Sequence, residues 1–435
     1  MLLAAAVCLL LTACVPNPPA QPVIAPAVTA PAATPTPTPA TTPMLPAETP
    51  APTPVPDPPR GKGQFAPGGA EGLSPAQTEL IVGFLTMYYE ALARLEAPDP
   101  AAYIQPTSGE AVAAIAQLRA VWEATVEIRK LQAVELSLLA YSFTLTCDKI
   151  EPQEDGGVHV YLLEDNVQRF AAHPDTDAEQ FNVRHIVALS GTADAPLVED
   201  YYRQDAIYWA LLGRLYQAEE DAPAPDWDAF FETMRAEQAA LLAEARENLA
   251  RLTAPAPRET VAPYAHIYDR DAAIAYAREW VGKRNPEWFD YADYGGNCQN
   301  FASQTLLAGG VPMDTSGESV WKWFSDVPDQ SAAASGRSSA WTGAEAFFTY
   351  ADENGGKGLA AVADADFYTG EPGDLIALGL DEEIRHVVVI TAVVRGADGQ
   401  IVDYLVASNT TDQRDYPVSA YSYTRRRLIK IYGWN

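Results

Sequence analysis

From Ser74 onward the chain switches between two hydrophobic periods. Ser74-Pro75-Ala76-Gln77 reads as a capping box with proline at the first helical position. Ile81, Phe84, Leu85, Tyr88, Leu92 and Leu95 follow at helical spacing. A second helix is expected over 109–131. The period then drops to two: Tyr141, Phe143, Leu145 and Cys147 form one face of a strand. Residues 158–163, 181–189 and 196–201 predict further strands separated by polar turns. Helical periodicity returns over 203–218 and 227–252. Helices followed by a strand meander predict a small α+β domain over 73–255, its sheet wrapped around a helix.

A Pro-rich join over 253–263 leads into a second unit, 264–435. Asp269 is placed to cap a helix over 272–281 that Gly282 stops. The Gly295-Gly296 turn opens another helix over 299–308, ended by Gly309-Gly310. Thr342 and Glu345 have capping-box spacing. Strands are expected over 375–378, 387–394 and 403–408. The fold class is therefore α+β in both units.

Ahead of Ser74 the pattern is lost. Residues 1–13 are mostly apolar, too short a run to span a bilayer, and end in Leu11-Thr12-Ala13 before Cys14. Leu-Thr-Ala-Cys resembles a bacterial lipobox. That resemblance implies removal of the leader, lipidation of Cys14, and attachment to the outer face of the cytoplasmic membrane through that anchor alone. Residues 15–72 hold 18 of the 35 prolines, and no aromatic occurs between 15 and 60. Such a segment buries no core and predicts a disordered, extended Pro/Thr/Ala tether. At ~3 Å per residue it spans roughly 100 Å or more. With 58 acidic against 29 basic side chains the net charge is −29, which argues against nucleic acid and against direct adhesion to anionic lipid.

The candidate chemistry lies in the second unit. Cys298 stands in Gly-Gly-Asn-Cys-Gln-Asn-Phe-Ala-Ser-Gln, where a glycine turn becomes a helix. A thiol at a helix start feels the positive end of the backbone dipole, and a nearby imidazole favours the thiolate further. His386 opens an apolar strand run, and Asn409 ends the next one. Cys on a helix start, followed by His and Asn from consecutive strands, is the order in which a Cys-His-Asn triad is assembled. The expected roles are nucleophile for Cys298, base for His386, and orienter of the imidazole for Asn409. Asn297 and Tyr294 are candidates to help hold the oxyanion beside the Cys298 amide. Gln304, almost two turns on, reads as a packing group. His159, His173 and His185 lack metal-ligand spacing, so neither metal nor cofactor is expected. Trp288, Trp321, Trp323 and Trp341 read as core.

Residues 267–435 resemble the putative amidase domain of bacterial secreted proteins. The resemblance rests on Tyr268-Asp269-Arg270, Asn285-Pro286, Gly296 to Gln304, Gly309 to Met313 and Trp321. It extends through Ser339 to Thr342, Pro372-Gly373-Asp374, His386 and Asn409 to Asp412. That family is related to the papain-like, NlpC-type cysteine hydrolases, which implies Cys298 as nucleophile and His386 as base. Asn297 replaces the family's usual Asp, and Asn409 its usual His. The implied activity is hydrolysis of an amide bond in a peptide or peptidoglycan-type substrate outside the cell. A catalytically silent scaffold lipoprotein and a thioester-forming acyl transferase stay open as alternatives.

Overall fold

The computed structural model describes residues 61–435 except 107, 209, 212–226, 256–259, 317–319, 329–335, 355, 356 and 381. The leader, Cys14 and the tether up to residue 60 lie outside the described residues, as does half of the helix expected over 203–218.

The first unit follows its periodicity closely. Helix α1 (Pro75–Arg94) has the capping box its sequence spells: the Gln77 amide donates to Ser74 Oγ, and the Ser74 amide donates to Gln77 Oε1. Helix α2 (Gly109–Lys130) is capped by Ser108. Strands β2 (Leu138–Pro152), β3 (Val158–Phe170), β4 (Ala178–Thr192) and β5 (Ala195–Arg203) form an antiparallel meander. Helix α3 (Trp227–Arg251) packs along α2. One strand falls in the segment read as tether. β1 (Lys62–Phe65) runs parallel to β2, Gly63 opposite Phe143. A Cβ at Gly63 would lie 2.1 Å from the Phe143 ring, so only glycine lets the two backbones approach there.

The second unit begins with β6 (His266–Ile267) and α4 (Arg270–Trp280), whose first turn accepts the Asp269 cap. Helix α5 (Cys298–Ala308) follows the double-glycine turn. Next come α6 (Ser339–Thr342), α7 (Ala344–Glu353) and β7 (Leu359–Ala365). The expected capping box at Thr342 does not form, because Gly343 is the N-cap of α7. Glu345 instead accepts the Ile384 amide at 2.8 Å. Strands β8 (Leu375–Gly379), β9 (Ile384–Arg395), β10 (Ile401–Ser408), β11 (Asp412–Pro417) and β12 (Arg425–Trp434) complete the unit.

The two strand sets make one mixed sheet. Its order is β1-β2-β3-β4-β11-β10-β9-β8-β12-β6, with β5 also on β4 and β7 on β12. The seam is the antiparallel pairing of β4 with β11, where Phe181, Gln180 and Glu179 face Asp412, Gln413 and Arg414. Arg414 also donates to Glu179 at 2.7 Å across it. Strand alternation then sends side chains of one strand into different cores. Val387, Val389 and Ala407 pack with Phe301, Ala302 and Leu306 of α5. Val388, Ile390, Tyr404 and Val406 pack on the opposite face, in a core shared with Tyr141, Phe170 and Tyr201 of the first unit.

Candidate active site

Cys298 is the first residue of α5 and is 8% exposed. Gly295 and Gly296 precede it with φ of 106° and 120°, a left-handed turn that side chains disfavour. Asn297 fixes that turn. Its Oδ1 accepts from the Tyr291 amide at 3.1 Å and from Asn300 Nδ2 at 2.8 Å. Its Nδ2 donates to Asn409 Oδ1 at 2.9 Å, and its amide to Thr410 Oγ1 at 2.5 Å. Every polar atom of Asn297 is engaged in holding the turn, and none of these bonds serves the cavity. The phenol of Tyr294 is on the surface, 74% exposed, beside Phe289. Neither residue lines the cavity that Cys298 and His386 share; the first-turn amides of α5 are the donors that lack intrahelical partners by helix geometry.

His386 lies near the start of β9, 7% exposed. Its ring stacks on Tyr423 at 6.0 Å and is tilted toward Tyr421 at 5.9 Å. Burial pushes its pKa down to about 4, so the imidazole is neutral at pH 7 and has a lone pair to accept a proton. Cys298 and His386 both line a cavity of about 460 Å³. Its lining on the second unit includes Gly296, Glu345, Thr410, Tyr421 and Tyr423.

Asn409 departs from the expected arrangement. Its Oδ1 is taken by Asn297, and among the described residues its Nδ2 finds no partner. Strand geometry is the reason. His386 shares the parity of Val388 and Ile390, whereas Asn409 continues the parity of Ala407, toward α5. The two side chains leave the sheet on opposite faces, and Asn409 braces the turn before Cys298 instead of the imidazole.

Several residues of the resemblance are structural. Arg270 donates to Asp374 Oδ1 at 2.8 Å, and Asp374 also accepts the Ile431 and Glu371 amides, each at 2.8 Å. That cluster ties α4 to β12. Trp341 donates to Asn300, Trp321 to Ser303 and Trp323 to the Tyr291 hydroxyl, so these indoles are core groups with satisfied N–H atoms. Gln304 accepts from the Tyr276 hydroxyl at 2.7 Å.

With these geometries in place, the chain can be compared with known proteins. Residues 267–432 match the family described as Putative amidase domain. The matched segment begins one residue before Tyr268 and closes in β12, enclosing Cys298, His386 and Asn409. A relative from Bacillus subtilis (strain 168), uncharacterized protein YhbB, is 33% identical over 131 residues, 30% of this chain and 39% of that protein. The chain therefore spans about two fifths of that relative's length. No solved structure matches.

The first unit supplies the rest of the cavity wall, with Tyr88, Arg129, Tyr202, Arg203 and Asp205 among its residues. Sequence reading assigned no chemistry to that region. The signal was present on α2, where Val121, Thr125 and Arg129 succeed one another at four-residue spacing on a buried face. A cation continuing an apolar stripe is the anomaly that pointed inward. Among the described residues no cluster of His, Cys, Asp and Glu is arranged to hold a metal ion, and no helix is long and apolar enough to cross a membrane.

Proposed function

We propose that the amidase-family segment is a cysteine amidohydrolase, papain-like in its order of groups, with Cys298 as nucleophile and His386 as base. The observation that carries this is the shared cavity: a thiol on the first turn of a buried helix and a neutral imidazole open to the same space. His386 takes the Cys298 proton as sulfur attacks the amide carbonyl, and the first-turn amides of α5 hold the oxyanion. The tetrahedral intermediate collapses when the imidazolium gives its proton to the departing amine, leaving a thioester. A water that surrenders its proton to His386 then attacks the thioester, releasing the acid and restoring the thiol. Asn409 acts at one remove, through Asn297, by fixing the turn that presents the sulfur. The lipobox-like Leu-Thr-Ala-Cys14 and the Pro-rich tether support an extracellular, lipid-anchored enzyme acting on peptide or cell-wall amides.

Alkylation kinetics test the first step. Burial, with Asp148 beside it, raises the Cys147 pKa, so that thiol is a slow internal control. Iodoacetamide should label Cys298 at least about tenfold faster than Cys147, and His386→Ala should abolish the difference. Equal rates in the unmutated protein would sink the reading. Release of new amine ends from wall sacculi, absent with Cys298→Ala, tests the reaction itself.

A further inference from the structure

Arg129 is 6% exposed, lines the cavity, and has no counter-ion. Its Nε and Nη1 are buried without a hydrogen-bond partner, and no carboxylate among the described residues lies within ion-pair reach. Its guanidinium carbon lies 5.5 Å from the centre of the Phe170 ring. The adjacent Arg203 is different. It stands 3.4 Å from Glu164, whose carboxyl is held down to about 2 despite its burial by His185 and Arg203, so that pair is neutral overall. Asp205 also faces the cavity, yet its Oδ1 is engaged by the Ser422 hydroxyl and the Ile207 amide. Toward the second unit, Glu345 is held by the Ile384 amide and Glu383 pairs with Arg385. Arg129 alone among these charged groups keeps two buried donor atoms without a partner.

An uncompensated guanidinium in a protein interior costs several kcal/mol, and such groups persist where a ligand completes them. We propose that Arg129 seats a free carboxylate of the substrate, so that the amide cut at Cys298 belongs to a molecule carrying a carboxylate group. This rests on the hydrolase reading for its catalytic half, but the seat itself does not. A planar, five-donor guanidinium matches a carboxylate fork. A dianionic phosphate fits less well, because Asp205, Glu345 and Glu383 share the cavity wall. A volume of about 460 Å³ lies in the range of ~300–1,000 Å³ that holds small ligands. Arg129 is thus a specificity residue contributed by the unit outside the amidase-family segment.

The test uses the full chain carrying Cys298→Ala, so that binding is read without turnover. N-acetyl dipeptides ending in a free carboxylate are titrated calorimetrically beside the same peptides ending in a primary amide. The carboxylate should bind about 10–100-fold tighter, as expected for charge-assisted bonds to one guanidinium. Arg129→Met should level the pair, and Arg129→Lys should keep part of the preference. Equal affinities in the parent, a preference surviving Arg129→Met, no binding by either peptide, or equal displacement by inorganic phosphate would each overturn the proposal. Thermal melting guards against a trivial loss. Removing an unpaired buried charge should raise the melting midpoint, whereas a structural arginine would lower it on Arg129→Met and recover it with Lys. If the carboxylate preference holds but Cys298→Ala leaves amine release unchanged, the seat stands and the hydrolase reading falls. The reverse pattern removes the seat alone.

Discussion

At the residue scale the site is governed by two neutral side chains, the His386 imidazole and the Asn297 amide. His386 titrates near pH 6.5 when unfolded and near 4 when buried, so between those values the unfolded chain binds a proton that the folded chain refuses. Stability is therefore complete above pH 6.5 and declines as the pH falls through the window. The loss approaches roughly 3 kcal/mol at about 1.4 kcal/mol per unit. Burial also depresses His159 and His185, which bend the curve the same way. The readout is thus the difference from His386→Gln in urea melts between pH 4.5 and 7.5, and parallel curves would contradict it. Asn297 offers a second prediction. Asn297→Asp keeps the acceptor for the Tyr291 amide and Asn300, and Asn409 can turn its unpartnered Nδ2 toward the new carboxylate. The single change should cost under about 1 kcal/mol, whereas Asn297→Asp with Asn409→Asp should cost several through buried like charges. Urea midpoints of the single and double variants against the parent decide it.

At the scale of elements, close approach sets the tolerances. Gly309 ends α5 with an ordinary φ, yet a Cβ there would stand 2.1 Å from the Tyr268 ring. That ring is pinned by its hydroxyl on the Gly373 carbonyl at 3.1 Å and by Arg270 over its face. Gly309→Ala should destabilise by about 1–3 kcal/mol, the usual cost of overpacking, and Tyr268→Leu in the same chain should restore part of it. Elements with a local cause were legible in the sequence. The Ser74 box, the Asp269 cap, the glycine stops and the alternation of β2 to β5 all depend on residues a few positions apart. Where the deciding partner was distant, reading failed. Thr342 and Glu345 have capping spacing, but Glu345 serves Ile384, 39 residues on. β1 was concealed because its Gly63 looks like linker and is defined only by the Phe143 ring above it. Asn409 accepts from Asn297, a contact that sequence order does not reveal because it does not say on which face a strand's last residue leaves.

At the scale of the molecule, the segment that matches the amidase-domain model and the region before it share one core. Leu378, Val388, Ile390, Tyr404 and Val406 are buried against residues of the first unit, and no local pattern announces that. Residues 61–435 should unfold in a single calorimetric transition, with van't Hoff and calorimetric enthalpies in agreement. Residues 264–435 alone should expose that apolar face, bind a hydrophobic dye and aggregate, and should be rescued by co-expression with 61–255. Two separated transitions, or a soluble and dye-silent fragment, would show that the shared core is not what holds the halves together.

The ladder between β4 and β11 also limits how anything enters. A cleft whose walls belong to two bodies joined by a flexible strap can open like a jaw. Here the walls are fastened by main-chain bonds at residues 179–181 and 412–414, so swinging them apart means tearing the sheet. Admission is left to small parts of the cavity lining: the Tyr421 and Tyr423 rings and Glu345 in the first turn of α7. Traffic in this molecule is a matter of side chains stepping aside, and mutations of these residues should change passage without loosening the walls.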